Sequence, residues 1–279
     1  MVHHYNLFYD PIKIKIMNIK NGLLLLTSLL ALGIATMAFN HKKAEKDIYQ
    51  IRVYHMKSNE QVAMVDHFLK NAYLPAMHRL GVSSIGVFKN VGIDTAVEKS
   101  IYVWMPLRSL EQLNRIEDGL AKDVAYNRAG AVYLDAPYDA PAYTRMEIMV
   151  LRAFSKMPHF KQPKLKGDPA QRIYELRSYE ASGEKLYKKK VHMFNEGGEI
   201  DLFEKLGFNA VFYAEVLSGS RMPNLMYMTS FDNRASRDEH WKTFGADPEW
   251  KRMSALPEYQ HSVSKADIYL LHPAPYSEL

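Results

Sequence analysis

The stretch RIYELRSY, residues 172–179, decides the fold of this chain, because a near copy of it, DIYQIRVY, stands at residues 47–54. The two stretches begin 125 residues apart in a chain of 279 residues. Other features recur at almost the same spacing, including a Leu-Gly pair at residues 80–81 and 206–207 and an aspartate at positions 123 and 247. One shared offset across so many features indicates an internal duplication.

Each half has the same predicted order of elements, which is strand, helix, strand, strand, helix, strand. Ser58 and Ser109 each precede a glutamine by three residues, and this capping-box spacing predicts the start of a helix. In the second half we expect the corresponding helices to begin at Ser182 and Ser236. This order is that of a ferredoxin-like unit, which has four antiparallel strands and helices on one face. Two such sheets can pack their uncovered faces together. We therefore predict an α+β fold of tandem ferredoxin-like repeats, packed sheet to sheet as an eight-stranded barrel or sandwich.

Composition and pattern divide the chain into four predicted segments. Residues 1–38 are an N-terminal extension and signal peptide, and residues 39–155 are the first repeat. Residues 156–171 contain three prolines and a glycine among lysines, which is typical of an extended linker. Residues 172–279 form the second repeat.

The N-terminal segment holds the longest apolar stretch, from Leu23 to Phe39, preceded by Lys20 and followed by a lysine pair. These features are typical of a Sec-type signal peptide, with cleavage after Ala38. We therefore expect a periplasmic or secreted protein. The alternative is an uncleaved anchor, which would be the chain's one membrane contact. Met17 is a better start than Met1 for such a signal.

Composition also excludes several classes of function. The chain has no cysteine, which excludes disulfides, thiolate nucleophiles and iron–sulfur clusters. The net charge is +5 without a concentrated basic face, so we predict no nucleic-acid partner. The lysine run at residues 188–190 is predicted to be a solvated helix face. The histidines lack metal-site spacing, and phosphate-loop and nucleophile-elbow motifs are absent. We therefore predict no metal and no cofactor, and the sequence identifies no catalytic residue.

The first strand of each half places an arginine and a tyrosine on one face, because alternate side chains of a strand share a face. If that face looks into the junction between the sheets, two arginines enter one interior, where a guanidinium suits an anionic ligand. We therefore predict a ligand site formed by Arg52, Tyr54, Glu175, Arg177 and Tyr179. The alternative is a structural ion pair of Glu175 with Arg177 or Arg52.

These residues resemble the NIPSNAP family of the dimeric α/β-barrel superfamily. The matching pieces are YELRSY at 174–179, LGF at 206–208, WKTF at 241–244, DPEW at 247–250 and IYLLHP at 268–273. The first half is more divergent and has DVAY at residues 123–126 in place of DPEW. The resemblance implies an intramolecular dimeric α/β barrel, and it implies no particular reaction. Animal members are associated with protein recognition at mitochondria, and superfamily relatives include small monooxygenases and haem-handling enzymes.

We therefore expect a secreted NIPSNAP-like protein of unassigned activity that binds a small anionic or aromatic ligand at the junction of the two repeats. A second hypothesis is a monooxygenase or isomerase for a small aromatic substrate, with a tyrosine as general acid and an arginine stabilising an enolate. A third is a protein-interaction module without a ligand. The duplication is compatible with either a monomer or a homodimer.

Overall fold

The computed structural model describes residues 45–279, and the predicted signal peptide and cleavage site lie outside the described residues. The first half comprises β1 (Ile48–Met56), α1 (Asn59–Phe68), a π-helical turn (Leu69–Tyr73), α2 (Leu74–Arg79), β2 (Gly86–Asn90), β3 (Lys99–Leu107), α3 (Leu110–Lys122), α4 (Val124–Leu134) and β4 (Arg145–Ala153). The second half comprises β5 (Ile173–Glu180), α5 (Glu184–Asn195), α6 (Glu199–Lys205), β6 (Asn209–Ser218), β7 (Asn224–Phe231), α7 (Arg234–Ala246), α8 (Pro248–Ser254) and β8 (Lys265–Pro273).

The eight strands form one closed barrel in the order β1-β3-β2-β8-β5-β7-β6-β4. All neighbouring strands are antiparallel. In the first half β1 lies between β3 and β4, and in the second half β5 lies between β7 and β8. The pairs β2–β8 and β4–β6 join the two halves. The predicted eight-stranded α+β barrel is therefore confirmed, whereas the reading of each half as a ferredoxin-like repeat stays a prediction.

Helix boundaries follow local chemistry in most places. The side chains of Ser58 and Ser109 cap α1 and α3 as predicted, and Asp247 caps α8 with a proline at the first helical position. Two predicted caps in the second half are wrong. Helix α5 starts after Gly183 without a side-chain cap, and Asn233 caps α7 three residues before Ser236. Asparagine is as good a cap as serine, so the capping-box spacing selected the wrong residue.

Two buried layers fill the fold. The barrel interior contains alternate residues of the first strands, among them Tyr49 and Ile51 of β1 and Tyr174 and Leu176 of β5. The other faces of these strands pack beneath the helices of their own halves. This arrangement buries both faces of β1 and most of both faces of β5.

One end of the barrel is closed by the segment after β4 and by the C terminus. Phe160 packs on Trp104 with ring centroids 5.4 Å apart, and Leu279 belongs to the interior cluster. The predicted linker therefore contributes side chains to the core in addition to connecting the halves.

Candidate functional site

The predicted ligand residues lie on the helix-covered face of the barrel. Tyr54 packs in the cluster under the helices of the first half, and Tyr179 packs in the one under the helices of the second half. The expectation that both arginines enter the shared interior is wrong. Alternation along a strand determines which side chains share a face, and here both faces are buried, so the pattern could not show which face looks inward. Arg52 and Tyr54 are consequently separated by the barrel wall from Glu175, Arg177 and Tyr179.

In the second half, Glu175 is the centre of a buried polar network. Its side chain is 0% exposed, and one carboxylate oxygen accepts a hydrogen bond from Arg177 Nε at 2.5 Å. The other oxygen accepts from Arg237 Nε at 2.5 Å and from Trp241 Nε1 at 2.9 Å. Three donors therefore compensate the removal of this carboxylate from water. The alternative ion pair of Glu175 with Arg177 is present.

Arg177 links this carboxylate to a pair of tyrosines. Its NH1 group donates to the Tyr179 hydroxyl at 2.9 Å, and that hydroxyl is 2.9 Å from the hydroxyl of Tyr227. The guanidinium carbon lies 3.5 Å from the centroid of the Trp241 ring, a cation–π contact. Burial favours the neutral phenol and raises the pKa of Tyr227 well above its ordinary value. Tyr227 therefore remains protonated at neutral pH.

A second buried ion pair lies beside this network. Lys190 Nζ donates to Glu199 at 2.7 Å, and both side chains are almost fully buried. Burial raises the pKa of Glu199, and the ammonium of Lys190 opposes this shift. The prediction that residues 188–190 form a solvated face is therefore wrong for Lys190. The reason is helical spacing, since Lys190 precedes the buried residues Met193 and Phe194 by three and four positions.

These groups form one wall of a surface cleft with a volume of about 260 Å³. We call it the second-half cleft, and it is lined by Arg177, Tyr179, Lys190, Glu199, Tyr227, Trp241, Phe244, Trp250, Val263 and Ala266. The charged and phenolic groups come from β5, β7, α5 and α6, whereas the apolar side comes from α7, α8 and the start of β8. The cleft is therefore lined by polar groups and by aromatic and apolar side chains.

The corresponding region of the first half is filled with aromatic rings. Arg52 lies 5.2 Å from the centroid of the Tyr73 ring. Tyr54 packs edge-on against Tyr133, which stacks on Phe68 with a centroid distance of 3.7 Å. The nearest carboxylate to Arg52 is Glu117 on α3, at 3.8 Å and 68% exposed.

The sequence predicted three members of the second-half cluster and missed the others. Arg237, Trp241 and Tyr227 come from elements far from β5 in the chain, whereas Lys190 lies on α5, the helix that follows β5. Arg237 and Trp241 are four residues apart on one helix, which places both on the same face. That spacing was the available signal, but the chain alone did not show which strand this face covers.

Two kinds of feature are absent from residues 45–279. No group of three or more His, Cys, Asp or Glu side chains in this range could hold a metal ion. Among the helices of this range, none combines the length and the apolar character that crossing a membrane would require.

Comparisons with known proteins agree with this fold. A protein of Fusobacterium nucleatum described as a candidate monooxygenase is 8% identical, with a TM-score of 0.56 over 82% of this chain and 93% of that one. A candidate monooxygenase of Lactobacillus acidophilus is 13% identical, with a TM-score of 0.52 over 82% and 94% of the two chains. At such identities the likeness shows the fold alone. No curated protein matches the chain.

The family is indicated by the second half. A NIPSNAP family protein of Agrobacterium tumefaciens is 20% identical, covers 39% of this chain and 98% of its own, and has a TM-score of 0.35. The NIPSNAP family model itself matches residues 174–278, from the second residue of β5 to the penultimate residue of the chain. Residues 174–278 are therefore similar to the NIPSNAP family.

Proposed function

We propose that this protein binds a small aromatic or apolar carboxylate in the second-half cleft, with Arg177 as the main contact to the carboxylate. This replaces the predicted location at the junction of the two repeats, because Arg177 and Tyr179 point away from that junction. The proposal keeps the predicted class of ligand. One observation carries it: a guanidinium with unused donors lies in a cleft that is also lined by aromatic and apolar side chains.

The unused donors of Arg177 favour an anion. Glu175 accepts from Arg177 and from the partly exposed Arg237, and Glu199 accepts from Lys190. Arg237 also reaches Asp238 at the surface, at 2.8 Å. A guanidinium has five N–H donors, of which Glu175 and Tyr179 take two from Arg177. The remaining donors suit a carboxylate.

The aromatic and apolar side chains of the cleft explain why we expect a ligand with an apolar ring or chain. Phe244 and Trp250 pack against each other with centroids 4.5 Å apart, and both line the cleft together with Val263. Flat aromatic surfaces of this kind bind aromatic rings by stacking and by the burial of apolar area. A benzoate-sized molecule meets both requirements.

The test is titration calorimetry with benzoate against the whole protein and two variants. Arg177→Met should weaken binding by at least about tenfold, because a charge-assisted hydrogen bond is worth roughly 1.5–3 kcal/mol. The matched substitution Arg52→Met should leave binding unchanged, because Arg52 lies under the helices of the other half. Equal affinity for wild type and Arg177→Met would reject the proposal.

A second variant separates loss of the site from loss of the fold. Val263→Phe fills the cleft without touching the Glu175 network, and it should also weaken benzoate binding. Thermal unfolding of each variant measures its folding directly. Absence of benzoate binding in the wild type would favour the interaction module without a ligand.

The enzyme hypothesis keeps one specific supporting feature, the Tyr179–Tyr227 hydroxyl pair on the cleft wall. A tyrosine that is hydrogen-bonded to Arg177 could donate a proton to a bound substrate. Oxygen consumption in the presence of small phenolic substrates, lost in Tyr179→Phe, would support a monooxygenase. Binding without turnover would favour ligand binding without catalysis.

We also propose that the chain is exported and that its halves are tandem ferredoxin-like repeats. The apolar segment from Leu23 to Phe39 supports export, and Edman sequencing of protein from the periplasm should begin at Phe39. A mature protein that retains its N-terminal segment would contradict cleavage. Equivalent strand orders in the two halves support the duplication.

A further inference from the structure

A separate cavity lies at the open end of the barrel, away from the end closed by Phe160 and Leu279. It has a volume of about 290 Å³, equal to the share of roughly ten water molecules. We call it the barrel mouth. It opens on the interior faces of the strands, so it is separated by the barrel wall from the second-half cleft.

Both halves contribute to the walls of the barrel mouth. Tyr102 of β3 and Tyr269 of β8 face each other with ring centroids 5.6 Å apart. Val53, Met149, Val216 and Met226 add apolar surface. Methionine and tyrosine surfaces of this kind accept a flat apolar body.

Hydrogen-bonding groups lie among these apolar walls. Ser178 and Asn224, both buried, are joined by two hydrogen bonds: Asn224 Nδ2 donates to Ser178 Oγ at 2.8 Å, and Ser178 Oγ donates to Asn224 Oδ1 at 3.2 Å. An amide has two N–H donors and two acceptor lone pairs, so these contacts leave one N–H and one lone pair of Asn224 for a bound hydroxyl or amide. Asn90 and Ser100 also line the cavity.

The charged groups at the rim already have partners. His55 lies between two carboxylates, with Nδ1 2.9 Å from Glu98 and Nε2 3.1 Å from Glu147. Arg145 pairs with Glu147, and on the opposite side Arg221 pairs with Asp267. A charged ligand would lose its hydration here and find no unpaired counter-charge, because each of these rim cations and carboxylates already has a partner. A neutral ligand does not bear this cost.

We infer that the barrel mouth is a binding site for a neutral, flat aromatic molecule that carries a hydroxyl or amide group. The aromatic body lies against Tyr102 and Tyr269, and its polar group bonds to the Ser178–Asn224 pair. This inference does not depend on the proposed function, since it concerns another cavity and another class of ligand.

The experiment is calorimetry with 2-naphthol, 2-naphthoate and 2-naphthylmethylammonium, which share one ring system and differ in charge. Excess benzoate is present throughout and occupies the second-half cleft. Binding of 2-naphthoate in that cleft is therefore not measured. We expect 2-naphthol to bind more tightly than either charged probe. Tighter binding of a charged probe, or binding of none of the three, would overturn the inference.

Variants locate the bound naphthol. Val53→Phe fills the mouth from β1 and should weaken 2-naphthol binding by roughly tenfold or more. Tyr269→Leu removes a half-exposed ring and should weaken binding with little effect on folding. Val132→Phe makes the same change as the first variant at an exposed position on α4, and it should leave the affinity unchanged. Equal affinity of Val53→Phe and Val132→Phe would place the ligand elsewhere and reject the inference.

Discussion

Arg52 and Arg177 stand at equivalent positions on β1 and β5, yet their charges are compensated in different ways. Arg177 bonds to a fully buried carboxylate two residues away on its own strand. At the position equivalent to Glu175 the first half has Gln50, and the nearest carboxylate to Arg52 is Glu117 on a helix. The two halves thus keep the arginine and place its counter-charge on different elements.

The equivalent helices α3 and α7 differ in the residue that lies near the arginine. Helices α3 and α7 have 13 residues each, and each is followed by a capping aspartate, Asp123 or Asp247. Aligned on those aspartates, Glu117 of α3 stands where α7 has Trp241. The second half therefore has a carboxylate on the strand and an aromatic ring on the helix, and the first half has an amide on the strand and a carboxylate on the helix.

This difference has a consequence for the space around the arginine. A buried carboxylate requires several donors, and Arg237 and Trp241 supply them. In the first half an exposed carboxylate is hydrated, so Tyr73 and Tyr133 can pack over Arg52 and Tyr54. The comparison teaches that a polar network keeps the cleft available in one half, and aromatic packing fills the other.

The largest expected effect comes from making the second half like the first at the strand position. Glu175→Gln leaves the buried cations Arg177 and Arg237 without their shared carboxylate, so we expect a loss of about 3–5 kcal/mol in the free energy of unfolding. Urea unfolding measures it. Glu117→Gln, at the exposed counterpart, should cost less than about 1 kcal/mol. Similar losses in the two variants would contradict the different roles assigned to these carboxylates.

The next effect concerns the dependence of stability on pH. Burial raises the pKa of Glu199 above its ordinary value of 4.5, so between these two values the folded state binds more protons than the unfolded state. The contribution of Glu199 is fully present below pH 4.5 and is lost as the pH rises through the folded-state pKa. The maximum slope is about 1.4 kcal/mol per pH unit.

Comparison with Glu199→Gln isolates this contribution, because the substitution removes the titration and leaves other ionisable groups in place. Urea unfolding of both proteins at a series of pH values should show the stability of the wild type falling relative to the variant as the pH rises above 4.5. Parallel stability curves would mean that Glu199 has the same pKa in both states.

A smaller effect is expected at the helix position of the comparison. Trp241→Phe keeps an aromatic ring beside Arg177 and removes the indole N–H that bonds to Glu175. We expect a loss of roughly 1–2 kcal/mol in the free energy of unfolding, the cost of one hydrogen bond to a buried carboxylate. Trp250→Phe, which keeps its packing on Phe244, is the control. A larger loss in the control would mean that ring size matters more than the hydrogen bond.

The smallest effect concerns the first helix of each half. Helix α1 has the Ser58 side-chain cap, whereas α5 begins after Gly183, which has extended backbone geometry and open space where a Cβ would lie. Gly183→Ser should therefore stabilise the protein by a few tenths of a kcal/mol, measured as a small rise in the melting temperature. A decrease would show that the loop before α5 does not accept a serine cap.

Much of the fold could be predicted because it is determined by local signals. The repeated first strand, the caps at Ser58 and Ser109 and the glycines after α2 and α6 all act within a few residues. Gly81 and Gly207 have φ values of +77°, a backbone conformation that glycine adopts without strain. Because the two halves have the same order of strands and helices, a barrel and a sandwich were the main folds that the sequence allowed.

The candidate site could be predicted only in part, for a reason that Arg177 illustrates. Its strand neighbours Glu175 and Tyr179 were evident from alternation, and their shared face was correct. The direction of that face was not, since Tyr174 and Leu176 are as well suited to burial as the residues on the other side. Lys190 was also assigned to solvent, because a run of lysines gives no sign that one member has a buried partner.

The sequence by itself determined the recurring spacing of its motifs, the order of strands and helices and the pairing of an arginine with a tyrosine on each first strand. These features depend on spacing, on caps and on alternation, which act over short distances along the chain. Only the tertiary structure decided which face of β5 meets the helices, which residues of α7 reach Glu175 and which of the two arginines keeps an open cleft beside it. Those outcomes depend on how distant elements pack, and packing brings together residues such as Glu175 and Trp241 that are 66 positions apart.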